Sequence, residues 1–220
     1  MEKMPYQEHA ESPATVAHAT VPAPPNSTWR HGLPTLTGSQ VTLRELRVSD
    51  APALFAAMSS SEVSRFISPP PGTVEGFEKF IAWALRQRAA GQYICFAVVA
   101  RGADAAIGLF QIRSLEAGFG TSEWGFAIAS EYWGTGMFAD GAELALRFAF
   151  DVLGAHRLEA RAALRNGRGT GALRKMGAIQ EGVLRRSFLR NGEYLDQGLW
   201  TILVEDWLEA KAVWGSRLIH

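Results

Sequence analysis

One cysteine stands in 220 residues: Cys95, inside the apolar run Tyr93–Val99. No disulfide can form within a single chain, which suits a reducing compartment. The position reads as a buried core thiol rather than a reactive one. Histidine is scarce where it would matter. Of five histidines, three lie in the first 31 residues and one ends the chain, so only His156 falls in the patterned region. That leaves no basis for a His-based metal cluster or a Ser-His-Asp triad, and no metal is expected. Net charge is also absent, with 22 basic residues against 22 acidic, so no overall basic field steers the chain toward nucleic acid. No apolar stretch reaches the roughly 20 residues of a membrane span. The N-terminus lacks the compact apolar core of a signal peptide. The expectation is a cytoplasmic protein without nucleic-acid or membrane partners.

What is present suits one globular domain, since 47% of the residues are hydrophobic. Residues 1–37 are rich in Ala, Pro, Thr and Ser, as in "VPAPPNSTW", and too poor in apolar side chains to bury. They read as a disordered arm ahead of a domain over 38–215. Val41, Leu43 and Leu46 suggest a strand, and Asp50 offers an N-cap to a helix over Ala51–Met58. After "SPPPG", Thr73 can cap a helix in which Phe77, Phe80, Ile81, Ala84 and Leu85 recur at helical spacing, ended by Gly91. Strand-like runs follow at 93–100, 105–113 and 121–129. Then comes the loop "EYWGTG", a helix closed by Gly154, and the alternating strand "HRLEARAAL". A Gly-rich short helix (about 167–176) leads to a hairpin turning at Asn191-Gly192, where a type I′ turn needs positive φ twice. Trp207 falls on a closing helix. The order describes an α/β (α+β) domain with a mixed sheet and helices on its faces.

Gly134-Thr135-Gly136 feeds a helix directly. Such a loop can be a tight turn without a ligand, or it can hold phosphate. A P-loop fails because no Gly-Lys-Ser/Thr follows. A dinucleotide fingerprint is matched in letters, with Glu159 about 20 residues beyond, but four residues separate the strand-like run from the first glycine. Backbone N–H groups of Trp133, Gly134, Thr135, Gly136, Met137 and Phe138 could converge on a pyrophosphate at the helix N-terminus. Between His156 and Arg190, nine basic residues face two acidic ones, which is either a solvated face or a rim for a phosphorylated ligand.

Glu131-Tyr132-Trp133-Gly134-Thr135-Gly136 resembles the signature Q/R-x-x-G-x-G/A of the GNAT acyltransferases, with Glu in the Q/R place. "YWGTG", "HRLEARAALRN", "KMGAIQEGVLRRS" and "RNGEYLDQGLWTILVEDW" look most like the branch of ribosomal-protein N-terminal acetyltransferases, the RimJ/RimL type. The resemblance spans about residues 40–208. It implies a mostly antiparallel central sheet flanked by helices, acetyl-CoA as co-substrate, and an amine acceptor on a protein N-terminus or a small molecule, in a monomer or homodimer. It also implies an oxyanion N–H near Ile128 and pantetheine pairing along Ile128 and Ala129. The 3′-phosphate and adenine would meet the basic segment near Asn166, with Arg165 and Arg168 closest in sequence.

Acetyl transfer needs a neutral amine, a polarised carbonyl and a proton for the leaving thiolate. Glu123, in the predicted fourth strand of the family order, is the candidate base. The acid is harder to place, because the family's usual Tyr and Ser positions hold Leu173 and Gly169. Thr170 is the nearest hydroxyl, with Ser187 and Tyr194 behind it, and Glu193 and Asp196 are the reserve bases. Thr135 needs no catalytic role. The competing reading is a non-catalytic domain that binds acyl-CoA for regulation.

Overall fold

A computed structural model describes residues 27–209. Eight strands form one sheet in the order β1-β2-β3-β4-β5-β6-β8-β7. They are β1 (Leu36–Thr37), β2 (Val41–Glu45), β3 (Tyr93–Ala100), β4 (Ala106–Ser114), β5 (Thr121–Ile128), β6 (Arg157–Ala163), β7 (Ile179–Arg190) and β8 (Glu193–Leu203). Every neighbouring pair is antiparallel except β5 and β6. The helices are α1 (Ala51–Ser59), α2 (Ser61–Ser64), α3 (Val74–Ala89), α4 (Met137–Arg147) and α5 (Gly167–Lys175). The mixed, largely antiparallel sheet with flanking helices agrees with the expectation from the sequence.

Strand alternation sends residues to two cores. Ile94, Phe96 and Val98 of β3 face α4, while Tyr93, Cys95, Ala97 and Val99 face α1 and α3. On the α4 side, Phe96 meets Phe148 edge to face, with centroids 5.1 Å apart. Truncating Phe96, which is fully buried, would cost about 3–5 kcal/mol through lost transfer energy and the cavity left behind. On the other side, α3 buries Phe77, Ile81 and Ala84, the apolar spacing seen in the sequence. Thr73 caps α3 as expected, its hydroxyl accepting from the Gly76 N–H at 3.0 Å.

Two expectations shift. Asp50 precedes α1 but does not cap it with its side chain. Its buried carboxylate instead accepts from the Arg44 guanidinium at 2.7 and 2.8 Å and from the Arg47 N–H at 2.8 Å. The helix after the glycine loop does not run evenly to Gly154. It widens into a π-type turn over Phe148–Val152, where the Leu153 N–H reaches the Phe148 carbonyl. Ahead of the boundary expected at 37/38, Trp29 is 2% exposed and packs edge to face on Phe119 at 5.5 Å. The rest of the expected arm, 1–26, lies outside the described residues, as does 210–220.

At the hairpin, Asn191 and Gly192 adopt φ of 50° and 78°, as the type I′ reading requires. Trp207 is buried on a helical turn at 204–209. The feature that positions the site is in the middle of the sheet. The parallel β5–β6 ladder runs only from Thr121↔Arg157 to Glu123↔Glu159. Beyond Glu123 the two strands part and leave an opening through the sheet.

Candidate active site

The opening is edged by β5, and hydrogen-bond alternation sets what that edge offers. The Ala129 N–H bonds the Ile107 carbonyl at 2.9 Å, so 107 and 129 are a hydrogen-bonded pair. Alternation then turns the N–H and C=O groups of Phe126 and Ile128 away from β4, toward the opening. Ala129 is therefore not available for a ligand strand: its N–H is used by β4 and its carbonyl accepts from the Tyr132 N–H at 3.1 Å. The Ile128 carbonyl accepts from the Trp133 indole at 2.8 Å, which leaves the Ile128 N–H facing the opening.

After β5 the chain makes a 3-10 turn at Ser130–Tyr132 and enters the glycine loop. This intervening turn, together with the antiparallel sheet, removes the dinucleotide alternative. The Trp133 N–H closes the turn on the Ser130 carbonyl at 3.1 Å, which commits that amide within the turn. Gly134 and Gly136 have φ of 78° and 93°, a region where L side chains are strained. A Cβ on Gly136 would also stand 2.7 Å from Gln40 Nε2. Thr135, expected to have no catalytic role, donates its hydroxyl to the Tyr132 carbonyl at 2.7 Å and lies 3.4 Å from the Met137 N–H. The amides left to converge are those of Gly134, Thr135, Gly136 and Phe138, at the positive end of α4.

One residue that holds this loop was not foreseen. Asp140, in the first turn of α4, accepts from the Ser39, Gln40 and Val41 N–H groups at 2.8–3.0 Å and from the Ser39 hydroxyl at 2.9 Å. Partial burial pushes its pKa up, but these donors outweigh that and hold the carboxyl below its usual range. The start of β2 is thereby fastened to the helix that follows the glycine loop.

Across the opening stands the N-terminus of α5. Asn166 caps it, Oδ1 accepting from the Gly169 N–H at 2.9 Å. The Arg168 guanidinium lies 4.3 Å from the Trp133 ring centroid. Between these walls is a cavity of about 970 Å³ bordered by Gly134, Gly136, Phe138, Asn166 and Arg168. Arg65, Lys175 and Arg190 add positive charge to its lining. Arg165 does not join them, because it pairs with Glu193 on the hairpin at 2.7 Å. Thr170 does not reach the cavity either. It is 5% exposed, and its hydroxyl faces the Asn166 and Gly167 carbonyls of its own helix at 3.1 and 3.2 Å.

A second cavity of about 600 Å³ lies on the α1–α3 side and shares Phe126, Ala127 and Asn166 with the first. Glu123 borders it where the β5–β6 ladder ends, its carboxylate held by the Arg113 guanidinium opposite on β4. The fallback residues are employed elsewhere. Ser187 bonds the Leu184 carbonyl and Gln197, Tyr194 is 61% exposed, and Asp196 accepts from the Arg186 N–H. Among the described residues no group of three or more His, Cys, Asp or Glu is arranged for a metal ion, and no helix is long and apolar enough to cross a membrane.

The chain resembles known proteins along most of its length. The uncharacterized N-acetyltransferase YoaA of Bacillus subtilis (strain 168) is 29% identical over 175 residues, 77% of this chain and 97% of its own. Among solved structures, Mycobacterium smegmatis RimJ in complex with CoA-disulfide shares the fold with a TM-score of 0.69 at 20% identity, over 76% of this chain and 83% of that one. Ribosomal-protein-S5-alanine acetyltransferase from Vibrio fischeri gives 0.70 at 20%, over 79% and 98%. Residues 40–179 match the family model described as an acetyltransferase (GNAT) domain. With the split sheet and the glycine loop at its edge, the chain belongs to the GNAT acetyltransferases, enzymes that draw their acetyl group from acetyl-CoA.

Proposed function

We propose that this enzyme moves the acetyl group to a primary amine by direct attack, in the manner of the RimJ/RimL-type branch. The observation that carries the reading is the opening between β5 and β6, beside which the two cavities share Phe126, Ala127 and Asn166 as lining. A thioester brought from the glycine-loop side can there meet an amine from the Glu123 side. Acetyl-CoA supplies an electrophilic carbonyl carbon on a thiol leaving group. The amides of Gly134, Thr135, Gly136 and Phe138 would hold its pyrophosphate. Arg168 and Lys175 would meet its remaining phosphate. The Ile128 N–H would donate to the carbonyl oxygen as charge builds there, a contribution typically worth about 10²–10³ in rate.

Glu123 would take the amine proton directly or through one water, with Arg113 fixing its carboxylate. No side-chain acid is assigned. A thiol of ordinary acidity, about 8.5, leaves without one, and the Thr170 hydroxyl is turned onto its own helix. The branch assignment rests on the "YWGTG" form and the closing hairpin, with the fold shared with RimJ as support. A mass-spectrometric screen of free amines and N-terminal peptides with acetyl-CoA tests it. Acetylated amine products are expected, and their absence across the whole screen would contradict the reading.

A further inference from the structure

The acceptor-side cavity has an uneven charge. Three charged side chains line it: Arg113, Glu123 and Arg161. Arg113 and Glu123 neutralise each other across β4 and β5. Arg161 belongs to a row on one face of the sheet, alternating along β6 with Arg157 and Glu159. Arg157 is bound to Glu159 at 3.0 Å and to Glu181 at 2.6 Å. Arg161 has no carboxylate partner among the described residues. It lies two residues beyond Glu159, the register partner of Glu123, so it stands about 7 Å further along, where the strands have parted.

A second donor is aimed into the same space. The Tyr93 hydroxyl donates to Gln111 Oε1, which fixes the orientation of that amide. Gln111 Nε2 then lies over β5, 2.8 Å from where a Cβ on Gly125 would be. The lining also has an apolar part, built by Phe66, Ile67 and the prolines 69–71. The site thus combines one carboxylate for an amine, a guanidinium and an amide N–H for an anionic oxygen pair, and an apolar wall.

We infer that the acceptor is a compact amino acid with an apolar side chain, its carboxylate read by Arg161 with help from Gln111. This rests on the acetyltransferase reading and narrows it. The amine of the amino acid faces Glu123, and its carboxylate forms charge-assisted hydrogen bonds with the guanidinium. Transfer forms the N–C bond and breaks the thioester C–S bond. The amine proton leaves through Glu123 and ends on the thiol or in solvent, and the acceptor carboxylate is unchanged. A peptide N-terminus would place a neutral carbonyl before Arg161 and leave the guanidinium without its anion.

The test uses the full chain, acetyl-CoA and the protein amino acids, followed by CoA thiol release. The best amino acid is then compared with its amide and its decarboxylated amine, with rates corrected for the free-amine fraction. The amino acid should exceed both by tenfold or more in kcat/KM, the scale of a charge-assisted hydrogen bond, about 10–100-fold. Arg161→Gln should bring that ratio close to one, and Arg161→Lys should restore part of it. Acetyl-CoA affinity and Tm serve as the folding control. Equal rates for all three acceptors, an unchanged ratio in Arg161→Gln, or transfer to no amino acid would each overturn the inference. Transfer to other amines in those cases would leave the acetyltransferase reading standing. Failure to bind acetyl-CoA is the separate result that defeats that reading.

Discussion

Arg168 stacks its guanidinium on the indole of Trp133, 4.3 Å from the ring centroid, across the opening between the glycine loop and α5. The same indole donates to the Ile128 carbonyl at 2.8 Å, so one side chain ties both walls to the end of β5. Trp133→Ala should raise KM for acetyl-CoA several-fold, because a cation–π contact of about 0.5–2 kcal/mol and a strand-end bond are lost together. Trp133→Phe should keep part of the first and none of the second. A double-mutant cycle with Arg168→Ala on acetyl-CoA affinity checks this: the pair should be non-additive, and simple additivity would separate the two residues.

Asp140 supports the loop from behind. Asp140→Ala strands three backbone donors and a hydroxyl, and should cost about 1–3 kcal/mol of stability. Its carboxyl is depressed in the fold. The stabilisation is therefore complete above the unfolded value, near 3.8, and is lost as pH falls through the lower folded value. Denaturant midpoints from pH 6 down to 3 should fall for the native sequence, and the difference from Asp140→Asn should narrow at the acid end.

The sequence made the hairpin at Asn191-Gly192, the Thr73 cap and the Gly136 position legible, because each is a local demand on φ or on a side chain three residues away. It did not make Asp140 legible, since the partners of that carboxylate lie 99–101 residues away. The surroundings of Thr170 were illegible for a related reason. Position in the chain suggested a free hydroxyl, while burial turned it back on its own helix. The Ala129 N–H bond to β4 becomes legible only once the β4–β5 register is written out, because alternation then commits it. Trp29 was hidden by the polar, proline-rich composition around it, since one aromatic can anchor a segment that shows no periodicity.

Cys95 should be chemically silent in the native protein. Burial pushes its thiol up to about 12, against a smaller downward pull from the Tyr93 hydrogen bond. Maleimide labelling at pH 8 should be negligible until the chain is unfolded, and fast native labelling would contradict the packing described.

Glu123→Gln should lower kcat by about 10²–10⁴-fold at neutral pH. KM for acetyl-CoA should stay nearly unchanged, because the cofactor contacts lie elsewhere. The deficit should shrink as pH rises and the acceptor amine deprotonates in solution. A full rate across the pH range would reduce Glu123 to the partner of Arg113.

Acetyl-CoA held by backbone amides at the mouth of the opening is the centre of the account, and calorimetry on the Gly136→Asp variant reaches it most directly. Replacement there forces a positive φ on a side chain, collides with Gln40 and sets a negative charge among the amides. Acetyl-CoA affinity should fall by 100-fold or more with the far-ultraviolet circular dichroism unchanged. Thr135→Ala, which loses only contacts within the loop, to the Tyr132 carbonyl and the Met137 N–H, should weaken it by no more than about tenfold. Affinity in Gly136→Asp equal to that of the native chain would contradict the account.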